Sequence, residues 1–288
     1  MKTLHIDLGR EMGGGQWQMI YLLERIEDAT LLARPGSPAL EHARARGIDA
    51  SPFSVAAMFR AAQRADLIHA HDARAHLMAA AVAGAKLVVA RRVAFPVRTT
   101  LVSRVKYARA NLFLAVSRCV AAELERAGVK KEKIRVVHDG VPLRGPGEGD
   151  AIVALASKRE DLVRRAAELA GVEVRFTRNL WDDLSQAKMF LYASNSEGLG
   201  SAALAAMSAA VPVIASNIGG LAEAVEHERT GILAANRAED FAAAIARLLR
   251  EPQLAREMGR RGRERVERMF TIEEMVRRTV AAYNEVLR

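Results

Sequence analysis

Short apolar runs alternate with longer segments of helical period along the whole chain of 288 residues. Such alternation is typical of parallel sheets covered by helices, because each strand is then buried on both faces. The predicted strands lie at 4–8, 29–32, 67–70, 86–90, 112–116 and 134–137, and then at 152–155, 173–176, 189–192, 213–215 and 231–233. A helix is predicted at about 16–26, and three more end the chain at about 239–250, 252–268 and 271–287. The pattern therefore predicts an α/β protein.

A linker interrupts this pattern near the middle of the chain. Residues 140–149 contain four glycines and two prolines, which neither a helix nor a strand favours. A chain of this length also exceeds the usual size of one hydrophobic core. We therefore expect two doubly wound, Rossmann-like domains that face a cleft, where the carboxyl ends of their strands would bind a ligand.

Composition restricts the cellular setting. The single cysteine, Cys119, excludes a disulfide within the chain and fits a reducing compartment. The first eight residues are too polar for a secretory signal, and the apolar runs near 77–85 and 202–215 are shorter than the ~20 residues of a membrane-spanning helix. We expect a cytoplasmic protein, either soluble or peripheral on the inner face of the membrane.

The net charge of +9 is concentrated in the first half of the chain. Residues 1–144 contain 23 Lys and Arg against 13 Asp and Glu, whereas 145–288 are nearly balanced. Segment 91–109 has no acidic residue, and its basic residues are Arg91, Arg92, Arg98, Arg104, Lys106 and Arg109. Two interpretations stay open: a solvated basic face, or a surface for anionic lipid headgroups or a phosphorylated lipid acceptor. Nucleic acid is disfavoured because aromatic residues make up only 5% of the chain.

The most informative segment follows the apolar run 189–192. Glu197 stands beside two glycines, and a helical pattern begins directly after them. The first backbone N–H groups of a helix have no partner within the helix. They lie at the positive end of its dipole and point outward. We therefore predict that this turn binds an anion such as a phosphate. Its residues are Gly198, Leu199, Gly200 and Ser201.

This order of parts resembles the C-terminal signature of family-four retaining glycosyltransferases of the GT-B fold. In that signature a glutamate, seven residues and a second glutamate hold a nucleotide-sugar; here Glu197 occupies the first position and Ala205 the second. Further segments resemble the family in the expected order, namely 13–18, 66–72, 115–118, 135–141 and 219–226. The final helices also resemble those of the family. The resemblance implies a first domain of residues 1–142 with 271–288 returning to it, and a nucleotide-sugar domain of 143–270.

The resemblance also implies roles for individual residues. Gly14 and Gly15 would lie near the donor phosphate or the acceptor, Gln16 would face the acceptor or the membrane surface, and His71 would contact the transferred sugar. The donor diphosphate would be bound by Lys158 and the glycine turn, sugar hydroxyls by Glu197, and the nucleotide side by Glu223. An apolar residue near Leu155 takes the place of the usual arginine, for which Arg159 is a substitute.

The implied function is transfer of a sugar from a nucleotide-sugar, such as a UDP-sugar, to a glycan or lipid-linked acceptor with retention of configuration. Cell-envelope or lipopolysaccharide glycans are the implied acceptors, and neither a metal nor a cofactor is expected. Ala205 and a short passage between Arg165 and Val174 remove contacts from the donor side. Two alternatives therefore stay open, a non-catalytic protein that binds sugar nucleotides or glycans, and a nucleotide-sugar epimerase.

The histidines allow a different interpretation. His69 and His71 project from the same side of a strand, with Asp72 and His76 nearby, as in the metal site of a hydrolase barrel. The other histidines do not complete a convincing ligand set from sequence; they are His5, His42, His138 and His227. We therefore expect no metal, and weigh sugar contact by His71 against a structural role for both.

Overall fold

The computed structural model describes residues 1–82, 84–97, 100–156 and 158–288. It contains two separate parallel sheets, each covered by helices, which confirms the predicted α/β class with two Rossmann-like domains. The chain divides into two compact units. The first unit is Met1–His138 with Ile272–Arg288, and the second unit is Asp139–Thr271.

The first unit is built on a seven-stranded parallel sheet with the order β3-β2-β1-β4-β5-β6-β7. Its strands are β1 Thr3–Asp7, β2 Ala29–Ala33, β3 Ala50–Pro52, β4 Leu67–Ala70, β5 Lys86–Arg91, β6 Leu112–Ala115 and β7 Ile134–Val136. Its helices are α1 Gly14–Leu23, α2 Pro38–Ala45, α3 Val55–Ala62, α4 Ala73–Ala79, α5 Leu101–Arg109, α6 Arg118–Arg126 and, at the end of the chain, α13 Ile272–Leu287. The order reverses between β1 and β4, which is where ligands bind in open α/β sheets.

The pairing of β1 with β4 determines which side chains meet at this switch point. The two strands run parallel, with His5 opposite His69 and Ile6 opposite Ala70. Ile6 is fully buried, as is typical of a strand that helices cover on both faces. The side chains of His5 and His69 therefore lie together on one face of the sheet.

Helix α13 packs onto the first unit through an apolar face. Ile272, Met275 and Ala282 join a core that includes Leu67 and Val88 of the sheet. The largest side chain in this core is Tyr283, which is fully buried. Burying an aromatic side chain of this size contributes ~1.5–3 kcal/mol, so α13 contributes to the stability of the first unit.

The second unit has a five-stranded parallel sheet with the order β12-β11-β10-β8-β9. Its strands are β8 Ala151–Leu155, β9 Arg175–Thr177, β10 Ala187–Tyr192, β11 Val213–Ser216 and β12 Gly231–Ala234. Its helices are α7 Glu160–Ala170, α8 Leu180–Ser185, α9 Ser201–Ser208, α10 Leu221–Ala224, α11 Ala238–Arg250 and α12 Pro252–Met269. Here the order reverses beside β8, whose two neighbours are β9 and β10.

The structure adds one strand to those that the sequence predicts. Strand β3 is short, exposed at two of its three positions, and ends in Pro52. An edge strand of this kind lacks the apolar run that marks a buried strand, so the pattern did not reveal it. Among the described residues, no helix combines the length and apolar character needed to cross a bilayer.

Candidate functional site

The switch point of the second unit joins two turns that the sequence predicted separately. The chain leaves β8 through Lys158 and Arg159, and it leaves the adjacent β10 through the loop that contains Glu197. Because β8 and β10 are parallel neighbours, both turns lie at the same edge of the sheet. This edge is the candidate donor site.

Glu197 anchors the site through one oxygen of its carboxylate. Its Oε1 lies 3.0 Å from Nζ of Lys158 and accepts hydrogen bonds from the hydroxyl groups of Tyr192, at 2.9 Å, and Ser194, at 3.1 Å. Burial and the negative charge of Glu197 raise the pKa of Tyr192 well above its ordinary value, so this hydroxyl stays a donor. Three donors on Oε1 fix the carboxylate, and no described side chain donates to Oε2, which is left to accept hydrogen bonds from a ligand.

Hydrogen bonds from the neighbouring strand and loop hold the loop that carries Glu197. The hydroxyl of Ser216 accepts from the backbone N–H of Ser194 at 2.9 Å and donates to Oδ1 of Asn236. Nδ2 of Asn236 donates a hydrogen bond to the backbone carbonyl of Ser194 at 2.8 Å. This closed set of hydrogen bonds holds the loop at the end of β10 and so positions Glu197.

The glycine turn after Glu197 has a backbone that only glycine allows. Gly200 caps α9 with a left-handed φ of 96°, and a Cβ there would overlap the side chain of Leu221. The backbone N–H of Gly220 donates to the carbonyl of Glu197 at 3.0 Å, and a Cβ on Gly220 would overlap the carbonyl of Gly198. The predicted turn therefore exists as a packed structure, and the first N–H groups of α9 point out of it.

Arg159 connects the two turns but has its guanidinium already engaged. It adopts a left-handed φ of 31° at the start of α7, an uncommon conformation for a residue with a side chain. Its Nε lies 3.0 Å from Oδ1 of Asp161, and its Nη1 donates to Oδ1 of Asn195 at 2.8 Å. Lys158 is therefore the cation that faces the carboxylate, and Arg159 holds the two turns together.

Two other positions that bear on the predicted donor site are Ala205, where the resemblance lacks its second glutamate, and Glu223. Ala205 is only 2% exposed in the interior of α9, and its methyl group offers no hydrogen bond. Glu223 is partly exposed in α10, and its backbone carbonyl accepts from Arg265 at 2.9 Å. Helix α10 follows Gly220, which packs against the glycine turn, so Glu223 belongs to the same edge of the sheet.

A second group of polar side chains lies at the switch point of the first unit. Burial and the neighbouring Asp72 raise the pKa of Asp7. Asp7 accepts a hydrogen bond from Nε2 of Gln16 at 3.1 Å, while Oε1 of Gln16 accepts from the N–H of Gly13 at 3.1 Å. Gln16 thus caps the glycine-rich start of α1 and joins it to β1. Gly14 and Gly15 form the first turn of this helix, and a Cβ on Gly15 would touch Arg92.

Three histidines meet beside this group. Nε2 of His71 lies 2.9 Å from Nδ1 of His5, whose Nε2 lies 3.1 Å from the hydroxyl of Thr3. Nδ1 of His69 lies 2.6 Å from the hydroxyl of Tyr283. Burial lowers the pKa of all three histidines, that of His5 to about 3, so they are neutral. Nη1 of Arg92 is 3.5 Å from Nδ1 of His71.

The sequence interpretation missed the place of His5 in this cluster. Alternation alone puts His5 and Asp7 on one side of β1, and the usual strand order of a doubly wound sheet puts β1 beside β4. Alternation and strand order together would have identified His5 as a member of the cluster. His76 is separate: its Nε2 lies 3.1 Å from the carbonyl of Lys106, and burial is the main cause that lowers its pKa to about 4.

The basic segment divides into structural and exposed parts. Arg91 donates to the carbonyl of Phe95, and Arg109 to that of Val82 at 2.6 Å, while Arg104 is exposed. Burial lowers the pKa of Lys106. Arg98 lies outside the described residues. Four apolar side chains interleaved with these are exposed, namely Val93, Phe95, Val102 and Val105.

Comparison with known proteins gives consistent matches across both units. A family model described as glycosyl transferases group 1 matches residues 151–265, and one described as glycosyltransferase family 4 matches residues 22–144. The alpha-maltose-1-phosphate synthase of Mycolicibacterium smegmatis is 37% identical over 117 residues, which are 38% of this chain and 30% of that protein. The N-acetyl-alpha-D-glucosaminyl L-malate synthase of Bacillus anthracis is 33% identical over 111 residues, or 38% and 29% of the two chains. These matches thus span less than a third of each curated relative.

Solved structures resemble the chain over almost its whole length. HepE of Anabaena, in complex with UDP and glucose, has a TM-score of 0.88 at 17% identity and covers 99% of both chains. Sucrose-phosphate synthase of Thermosynechococcus elongatus has a TM-score of 0.78 at 18% identity, again over 99% of both chains. At these identities the likeness is one of fold.

Proposed function

Since this chain belongs to glycosyltransferase family 4 and has the GT-B fold, we propose that it transfers a sugar, with retention of anomeric configuration, from a nucleotide-sugar to a glycan or lipid-linked acceptor. The observation that carries the proposal is the Lys158–Glu197 pair at 3.0 Å, beside the glycine turn at the start of α9. A cation, a fixed carboxylate and open backbone N–H groups are the groups needed to bind a sugar diphosphate.

Each part of this site has a role in the proposed reaction. As the anomeric C–O bond breaks, negative charge develops on the diphosphate leaving group. Lys158 and the N–H groups of Ser201 and Ala202 stabilise that charge in place, with no reorganisation needed at the moment of reaction. Oε2 of Glu197 accepts hydrogen bonds from hydroxyls of the transferred sugar. Contact of His71 with this sugar, and of Glu223 with the nucleotide, stay predictions that rest on the family resemblance.

The proposal extends to a UDP-sugar as donor. HepE was solved with UDP and glucose, and another structure of it with UDP-glucose. Calorimetry with UDP-, GDP- and ADP-sugars tests this choice directly. We expect the UDP-sugars to bind most tightly; a chain that binds none of the three at millimolar concentration is not a transferase of this class.

A second function, binding of a sugar nucleotide without transfer, is favoured by the buried Ala205. A glutamate at that position would accept hydrogen bonds from ribose hydroxyls, and losing such charge-assisted bonds costs ~1.5–3 kcal/mol, about 10- to 100-fold in donor affinity. Product analysis with and without glycan and lipid-linked acceptors separates the alternatives. Transfer requires an acceptor, epimerisation proceeds without one, and a binding protein forms no product.

We also propose that the exposed part of segment 91–109 contacts an anionic membrane surface. Val102 and Val105 are exposed beside Arg104, an arrangement that suits the interface of an anionic bilayer. Co-sedimentation with vesicles containing phosphatidylglycerol is expected and should weaken with salt. Val105→Glu should reduce it, while Leu169→Glu, an exposed apolar site in the second unit, serves as the control. Equal binding to purely zwitterionic vesicles would contradict the electrostatic account.

A further inference from the structure

The histidine cluster of the first unit has the composition of a metal site. One ring nitrogen from each of His5, His69 and His71 lies within 4.8 Å of the other two, and all three side chains are buried. We infer that these three imidazoles form a binding site for a divalent transition metal, with Zn²⁺ as the ion that suits them best. The site goes beyond the proposed transfer reaction, in which no step uses a metal. It replaces our expectation from sequence that no metal binds, and it assigns Nε2 of His71 to the metal instead of to the transferred sugar.

One nitrogen of the cluster lacks a partner. Among the described residues, Nε2 of His69 is buried without any hydrogen bond. Buried polar atoms are almost always paired, because a nitrogen removed from water loses its solvation without compensation. A metal ion that accepts the lone pair of this nitrogen would supply the missing interaction.

Hydrogen bonds to Tyr283 and Thr3 favour the tautomers of His69 and His5 that leave one ring nitrogen unprotonated for a metal. When Nδ1–H of His69 donates to the Tyr283 hydroxyl, the lone pair of Nε2 is left for a metal. When Nε2–H of His5 donates to the Thr3 hydroxyl, the lone pair of Nδ1 is left in the same way. Both hydrogen bonds also fix the orientation of the rings. Burial keeps the imidazoles unprotonated, which metal ligation needs.

The three ligand nitrogens, which lie within 4.8 Å of one another, must adjust to bind one ion. Nε2 of His71 lies 2.9 Å from Nδ1 of His5, so without metal the two nitrogens share one proton. Two ligands of a tetrahedral Zn²⁺ are about 3.3 Å apart, given Zn–N distances of about 2.0 Å. Binding therefore separates these nitrogens by a few tenths of an ångström and moves the His71 proton to Nδ1. Arg92, which faces Nδ1, turns aside to admit that proton.

The charged side chain that acts on the cluster is Arg92, whose positive charge adds to burial in lowering the pKa of His69 and His71. The attraction for a metal therefore comes from the lone pairs of the three neutral imidazoles, which are ligands that Zn²⁺ prefers. Three protein ligands also leave the fourth tetrahedral position for a water molecule or a substrate.

The test uses the full chain with its affinity tag removed and with metal stripped by a chelator. Titration with Co²⁺ is expected to give one ion per chain, with the visible absorption of tetrahedral cobalt, and Zn²⁺ should displace it. His69→Gln should weaken binding by about 100-fold or more, because it removes one ligand. His76→Gln changes a buried histidine of the same unit outside the cluster and should leave binding unchanged.

A second variant keeps the three ligands and changes only their support. Tyr283→Phe removes the hydroxyl that contacts Nδ1 of His69 and preserves the aromatic ring of residue 283. It therefore tests the site even where His69→Gln does not fold. We expect about 10- to 100-fold weaker metal binding, typical of the loss of a group that orients a ligand. The inference is overturned if the chain binds no Co²⁺ or Zn²⁺, or if Tyr283→Phe and His69→Gln bind them as the unchanged protein does.

Discussion

Nζ of Lys158 lies 3.0 Å from Oε1 of Glu197, and this ion pair joins the turn after β8 to the loop after β10. The two residues are far apart in the chain and meet because their strands are parallel neighbours. The Lys158 side chain is 40% exposed and that of Glu197 is 13% exposed, so the pair faces solvent at the lysine end. An incoming diphosphate can therefore reach the ammonium group while the carboxylate stays fixed.

Lys158→Met tests the cation of the donor site. Removing one charge-assisted contact with a phosphate costs ~1.5–3 kcal/mol, so UDP should bind about 10- to 100-fold more weakly by calorimetry. Lys188→Met is the matched control, since Lys188 is an exposed lysine of β10 in the same unit. Unchanged UDP affinity in Lys158→Met would remove this lysine from the site.

Glu197→Gln tests the carboxylate separately. The amide has nearly the same shape but carries no charge, so kcat/KM for transfer should fall about 10- to 100-fold. Affinity for free UDP should change little, because UDP lacks the sugar whose hydroxyls Glu197 is proposed to bind. Glu239→Gln, at an exposed site of the same unit, should alter neither quantity. An equal loss in UDP affinity would place the role of Glu197 at the nucleotide instead.

Gly200→Ala tests whether the glycine turn is held by packing as well as by backbone conformation. Alanine there would adopt an unfavourable φ and overlap Leu221, so we expect a loss of ~2–4 kcal/mol in the free energy of unfolding. Gly171→Ala is the control: it also has a left-handed φ, but its Cβ would meet nothing within 4 Å, and it should cost ~1 kcal/mol.

The measurement is urea unfolding, followed by the fluorescence of Trp181 in a Trp17→Phe background. Trp181 lies in α8, within the second unit. Equal losses for the two alanine variants would mean that Leu221 moves aside and that the turn is not tightly packed.

The buried histidines should make the first unit sensitive to acid. Burial lowers the pKa of His5 from 6.5 to about 3, and it lowers those of His69 and His71 as well. Below pH 6.5 the unfolded chain therefore binds protons that the folded chain does not. The stabilisation that comes from keeping these histidines neutral should be complete above pH 6.5. Below that pH the free energy of unfolding should fall, by up to ~1.4 kcal/mol per pH unit for each histidine.

Urea unfolding at a series of pH values, followed by Trp17 in a Trp181→Phe background, checks this dependence. Trp17 lies in α1 of the first unit. His5→Gln should make the dependence less steep, whereas His42→Gln, at a partly exposed histidine of the same unit, should preserve it. If the two variants behave alike, other groups cause the acid sensitivity.

The sequence by itself determined the fold class, and it predicted the components of the candidate donor site. Apolar runs such as 213–215 and 231–233 were readable as strands because parallel strands are buried on both faces. Glu197, the glycine turn and Lys158 were each predicted from local pattern and family resemblance. Their signals are local, since a glycine at a left-handed φ or a helix start depends on neighbouring residues alone.

Only the tertiary structure decided which of these residues act together. The contact between His69 and Tyr283 spans 214 residues, and the place of His5 follows from the register of β1 against β4. Likewise, the contacts of Arg159 with Asn195 and of Lys158 with Glu197 follow from the order of the strands. Local pattern fixes the direction of a side chain on its own strand, whereas strand order and register determine its neighbour.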